Sequence, residues 1–141
     1  MASIPVGSTS TTSPTPVYQM STATVSGLGR ILVDGQGFTV YIYEPDHQSG
    51  TSTCFSTCQV GWPPIVLPKG VTSAVAGRGV VQSLLGTTSR GGGVEQVTYN
   101  RWPLYRWEGD SAAGQATGQG LYNSGGLWYV ISPDGNVISK T

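Results

Sequence analysis

The sequence predicts an all-β fold: a single domain of two tandem, related β-meander repeats carrying one short Cys-bearing helical turn. Three observations lead there. Gly (21) and Pro (9) are abundant among 141 residues while charged residues make up only 10%, a composition that suits short strands and turns better than long helices. A six-residue pattern occurs twice, as Tyr41-Ile42-Tyr43-Glu44-Pro45-Asp46 and as Tyr105-Arg106-Trp107-Glu108-Gly109-Asp110. The offset of 64 residues, from 41 to 105, also lays Phe38 on Trp102 and Val40 on Leu104, so one unit is used twice. Finally, apolar runs of strand length alternate with Gly, Asn, Asp and Pro turn signals along most of the chain.

Taken in order, Val17 to Val25 places Tyr18, Met20, Thr22 and Thr24 on one parity and ends at Ser26-Gly27, which reads as a first strand. Ile31-Leu32-Val33, the turn Asp34-Gly35-Gln36-Gly37 and Phe38 to Tyr43 form a hairpin pattern. In its second arm Phe38, Val40 and Ile42 face one way and Thr39, Tyr41 and Tyr43 the other. Neither face is polar, so both should be covered. Thr53 to Gly61 fits one or two helical turns with a Thr or Ser cap before it and Gly61 just past its end. Trp62 to Leu67 must be extended, because Pro63, Pro64 and Pro68 remove donors and bias their predecessors away from the helical region. It should serve as an edge or covering strap. Residues 71–86 are ambiguous, since Val80 to Leu85 fits a short helix or a strand and periodicity does not decide between them. Beyond them, Gly91-Gly92-Gly93 joins two strand-like runs, and Asn100-Arg101 turns into Trp102 to Trp107, giving a meander. Residues 111–126 read as a long loop, and Trp128 to Ile131 with Ser132-Pro133-Asp134-Gly135-Asn136 and Val137-Ile138 as a final hairpin. The repeats thus occupy about 25–70 and 85–138 of a β-domain at 17–141.

Lys and Arg (7) balance Asp and Glu (7), and no basic run is present, so nothing here would neutralise a row of phosphates. Nucleic acid is an unsuitable partner. No run approaches the roughly 20 apolar residues of a membrane span, and no charged segment followed by an apolar core marks an export leader. Residues 1–16 are rich in Ser, Thr and Pro and carry no charge, the composition of an extracellular arm or linker. Such an arm offers a route to self-assembly, by strand addition to an exposed sheet edge.

Both copies of the Tyr-x-aromatic-x-x-Asp pattern, together with Thr53-Cys54-x-x-x-Cys58 before Trp62-Pro63-Pro64, Gln96 to Asn100, Pro103-Leu104-Tyr105, Gly118-Gln119-Gly120, Trp128-Tyr129-Val130 and Ser132-Pro133-Asp134-Gly135, resemble the secreted-repeat family of bacterial exported lipoproteins. The resemblance covers about residues 25–138. It implies an exported, often lipid-anchored β-rich domain of unestablished biochemical role, and it supplies no catalytic residues. Two departures stand out. The family usually has Gly after Asn100, where this chain has Arg101, so the turn either carries about 1 kcal/mol of strain or changes type. The anchoring Cys is also missing, with Met1-Ala2-Ser3 standing where an export signal and lipid-attachment site are expected.

Four groups could carry chemistry. Asp46 and Asp110 occupy equivalent places and could form a carboxylate pair sharing a proton, as in a dyad hydrolase. The stronger reading has each accepting backbone N–H bonds in the turn that follows its strand. Tyr41, Tyr43, Tyr105 and Trp107 could form an aromatic platform for a sugar, but rings at alternate positions of a two-sided apolar strand are better read as core. Cys54 and Cys58, the only cysteines, point to a disulfide in an exported protein. With His47 they also offer a copper site, the alternative cofactor, since two thiolates four residues apart suit Cu(I). His47, the sole histidine, otherwise reads as a solvated loop residue. No catalytic residue is assigned. The expectation is an exported cell-envelope or extracellular module for binding or assembly, with an unknown protein or envelope partner. Copper handling or thiol redox through Cys54 and Cys58 is the first alternative, and an Asp46/Asp110 hydrolase the second.

Overall fold

The computed structural model describes residues 17–140. The Ser/Thr/Pro-rich arm at 1–16, and any assembly through it, lie outside the described residues. Among the described residues ten short strands form three small sheets. β1 (Gln19–Val25) lies between β2 (Gly29–Val33) and the two-residue β4 (Val75–Ala76), with β1 and β4 parallel. β5 (Leu85–Gly91), β6 (Val94–Tyr99) and β7 (Trp102–Pro103) make the expected antiparallel meander. β9 (Gly126–Ile131) joins β10 (Val137–Ile138), β3 (Tyr41–Tyr43) and β8 (Tyr122–Asn123). β8 falls within the stretch expected to be loop throughout.

β3 is buried along its whole length because its alternating side chains enter two different cores, as period-2 geometry requires. Val40 and Ile42 join Met20, Leu32, Val97, Leu104 and Ile131 on one side. Tyr41 and Tyr43 join Ile31, Trp62, Tyr105, Trp128 and Val130 on the other.

The two repeats interlock instead of standing side by side. At their centre Tyr41 and Tyr105 exchange both backbone hydrogen bonds, 2.7 and 3.0 Å long. Tyr41 then pairs across β3 with Val130 of the second repeat, while Tyr105 pairs with Pro64 of the first. The proline-rich strap is therefore the first repeat's counterpart of β9, and it is extended as the prolines dictate. Each repeat's motif strand is completed by the closing segment of the other.

Two local expectations need correction, and one left open is resolved. The helical segment α1 covers only Thr57–Gly61, so Cys54 precedes it, Gly61 lies inside it and Trp62 caps its end. Its N-cap Ser56 has φ 54° and makes no side-chain cap. In the stretch left open at 71–86, β4 is followed by a single 3-10 turn at Gln82–Leu84 that leads directly into β5 at Leu85. From Leu104 to Trp107 the chain forms two isolated bridges through Tyr105, to Tyr41 and Pro64, in place of a strand.

The Asn100-Arg101 turn keeps positive φ at both residues, 48° and 69°, the geometry of a two-residue hairpin that favours Gly in its second place. Arg101 tolerates it because its guanidinium donates to the Ser49 carbonyl at 2.7 Å and its own carbonyl accepts the Gly50 N–H at 2.9 Å. The strain and the docking are separable by mutation. Arg101→Ala and Arg101→Gly both lose the guanidinium bond and keep the backbone one, but only Arg101→Gly relieves the strain, so Arg101→Ala should be the less stable of the two by about 1 kcal/mol in urea unfolding.

Candidate functional site

The motif residues come together in the second core through hydrogen bonds that cross between repeats. The Tyr41 hydroxyl donates to Asp110 Oδ2 at 2.6 Å, and the Tyr105 hydroxyl donates to Asp46 Oδ2 at 2.8 Å. The remaining oxygen of each carboxylate is used within its own repeat. Asp46 Oδ1 accepts the N–H and hydroxyl of Thr53 at 2.7 Å each, and Asp110 Oδ1 accepts the same two groups of Thr117 at 2.8 and 2.6 Å. Thr53 and Thr117 each lie seven residues after their Asp and 64 residues apart. They belong to the repeated unit, and the offset that aligned the rings contained this signal.

The chemistry of the acceptors fixes the direction of every proton in the first network. A carboxylate only accepts, so Tyr105 donates to Asp46 and must accept from Ser52, whose Oγ is 2.6 Å away. Ser52 Oγ in turn accepts from the Cys54 N–H at 3.1 Å and from Arg90 Nη1 at 2.9 Å. In the second repeat the Gly118 N–H, equivalent in position to Cys54, donates directly to the Tyr41 oxygen at 3.1 Å. Among the described residues no buried side-chain polar atom lacks a partner. Burial pushes the Asp46 carboxyl above its ordinary range, against the bonds from Thr53 and Tyr105 and the nearby Arg90 charge. Burial raises the Tyr41 phenol as well, helped by its bond to Asp110. It does the same for Tyr105, helped by the adjacent Asp46 charge.

Beside these bonds runs a column of four rings. Trp107 stacks on Trp62 at 4.2 Å, Trp62 on Trp128 at 3.9 Å, and Trp128 on Tyr43 at 4.2 Å. Tyr41 meets Trp62 edge-on and Tyr105 meets Trp128 edge-on. The order alternates between repeats, so the column repeats the exchange seen in the hydrogen bonds. Tyr41, Tyr105, Trp62 and Trp128 are wholly inaccessible to solvent, Asp46 and Asp110 are 1% and 7% exposed, and only Trp107 is half-exposed. These rings pack against one another, and all but Trp107 are buried. The two carboxylates do not bond to each other; each is paired to a phenol.

Cys54 and Cys58 form a disulfide with Cα atoms 5.3 Å apart. Arg90 holds this loop, donating to the Cys54 carbonyl at 2.6 Å and to Gln59 Oε1 at 2.6 Å while its guanidinium lies 4.2 Å over the Phe55 ring. His47 is exposed, at the end of the 3-10 turn Glu44–Asp46, with φ 54°. Among the described residues no three His, Cys, Asp or Glu side chains gather as a metal site. Sequence reasoning also missed a second anchored arginine. Arg106 Nε lies 2.5 Å from Oδ2 of the buried Asp34, whose other oxygen accepts the Gln36 and Phe38 N–H groups.

Residues 22–66 and 86–132 match the model of a family, Lipoprotein_15, described as a secreted repeat of unknown function. The two matches begin 64 residues apart, the offset that relates the two motif copies. No curated protein and no solved structure matches the chain.

Two measurements probe the crossed bonds. Tyr105→Phe leaves the buried Asp46 short of one donor and the Ser52 hydroxyl without its acceptor, so it should cost about 1–3 kcal/mol, read from chemical denaturation. Alkaline titration has a definite sign. Folded-state phenol values above the ordinary 10 mean that the unfolded chain loses protons first, so this stability is complete below pH 10 and lost above it. Tyr41 and Tyr105 together should give a slope of about −2.7 kcal/mol per pH unit there. Their phenolate absorbance should appear only with cooperative loss of the fold.

Proposed function

The chain belongs to this secreted-repeat family, and from that premise we propose that it is a non-catalytic binding or assembly module working outside the cytoplasm. The carrying observation is the state of Tyr41, Asp46, Tyr105 and Asp110. Their hydroxyls and carboxylates are the groups with most chemical capacity in the motif, and all are buried in mutual hydrogen bonds. A general acid or base must reach a substrate proton. These groups instead close the junction between repeats. The Cys54–Cys58 disulfide supports an oxidising compartment, and no helix among the described residues is long and apolar enough to cross a membrane.

Tagged full-length protein in its own organism should fractionate outside the cytoplasm with both cysteines oxidised; cytoplasmic recovery with free thiols would overturn the reading. Purified protein incubated with Cu(I) should release two thiols only after reductant and retain no copper through gel filtration. Retention of one equivalent, lost in Cys54→Ser and Cys58→Ser, would replace this reading with copper handling.

A further inference from the structure

We propose that the cleft between the 3-10 turn at Glu44–Asp46 and the β8–β9 loop is a saccharide-binding site, with Tyr122 as its stacking platform. This rests on the binding-module reading and names its ligand class. The cleft measures about 480 Å³ and is lined by Glu44, His47, Gln48, Trp102, Tyr122 and Leu127 among others, within the size range of small-ligand sites. Tyr122 is 73% exposed, the most open aromatic ring of the described residues, and Trp102 forms a second, half-exposed aromatic wall. Around the rings stand a carboxylate, an imidazole and an amide. Among the described residues, the Glu44 carboxylate, the His47 imidazole and the Tyr122 hydroxyl take no part in an intramolecular hydrogen bond, while Gln48 donates to the Asn100 carbonyl at 3.0 Å. Flat apolar faces beside free donors and acceptors match a pyranose, which presents C–H faces and equatorial hydroxyls.

The site is also held in place. Under the platform, the Tyr43 hydroxyl donates to the Ser124 carbonyl, Trp128 Nε1 donates to the Asn123 carbonyl at 2.9 Å, and Trp62 Nε1 donates to Asn123 Oδ1 at 3.1 Å. Gly126 lies so close to Pro45 that a Cβ there would come within 2.4 Å of its ring. The loop bearing Tyr122 therefore rests directly on the motif turn bearing Glu44 and His47. Of the six non-glycine residues with positive φ among the described residues, five, His47, Gln48, Asn100, Arg101 and Ser124, belong to this cleft or the turns bordering it. Tightly supported unusual backbone is a common feature of ligand sites. Rigid support lowers the ordering cost of binding.

The test titrates full-length protein with chitotetraose, cellotetraose, laminaritetraose and mannotetraose up to 10 mM, followed by tryptophan fluorescence and by saturation-transfer NMR of the sugar. At least one should bind. Tyr122→Ala should weaken it tenfold or more, Tyr122→Phe should retain most of it, and Gly126→Ala should weaken it by displacing the loop. Val60→Ala, on the surface and outside the cleft, should bind as wild type. Absence of saturable binding by all four sugars, or equal binding by wild type and Tyr122→Ala, overturns the saccharide assignment and leaves the extracytoplasmic, non-catalytic reading to its own fractionation and copper tests.

Discussion

The structure depends on a reciprocal exchange: the first tyrosine of each motif bonds the aspartate of the other. A phenol and a carboxylate buried separately would each incur several kcal/mol of unpaired desolvation. Joined across the repeat boundary, each satisfies the other. The backbone bridge between Tyr41 and Tyr105 sets the distance at which this happens, and the Thr53 and Thr117 loops complete the carboxylate shells. The aromatic column follows from the same arrangement, because bringing the tyrosines together brings Trp62 and Trp128 face to face. Stacked and edge-on aromatic pairs contribute about 0.5–1.5 kcal/mol each beyond the area they bury. The motif is thus the specification of a junction, written once on each side.

That junction also organises the surface. Tyr43 closes one end of the column and binds the Ser124 carbonyl, so the loop carrying Tyr122 is anchored by a motif residue. On the opposite flank, Arg90 ties the disulfide loop to Ser52 and hence to the Tyr105 network. Parts of the molecule with chemical capacity at the surface are fastened to a core that has none left to offer.

Much of this was legible in the sequence. The 64-residue offset identified the repeats, the three prolines around the strap made it extended, and alternation placed both faces of Tyr41–Tyr43 under cover. What could not be read was which partner each element would take. Pairing of β3 with β9, across 85 residues from Tyr43 to Trp128, depends on tertiary closure and leaves no local trace. The same holds for the assignment of Tyr41 to Asp110 instead of Asp46. The helical reading of Thr53 to Gly61 overreached because Ser56 adopts positive φ and breaks the run. Tyr122 passed unremarked because it sits in a Gly- and Ser-rich stretch, where one ring gives no periodic signal.

The crossing of partners has the form of an isologous contact, the kind two identical subunits make about a two-fold axis. In such a dimer every substitution is made twice, and both ends of the axis must change together. Carrying both halves on one polypeptide removes that obligation. Here Ser52, Arg90 and the disulfide elaborate one end of the axis, while the other retains a plain Gly118 amide. Covalent continuity has given a symmetric scaffold two inequivalent poles, each open to its own specialisation without loss of the shared centre.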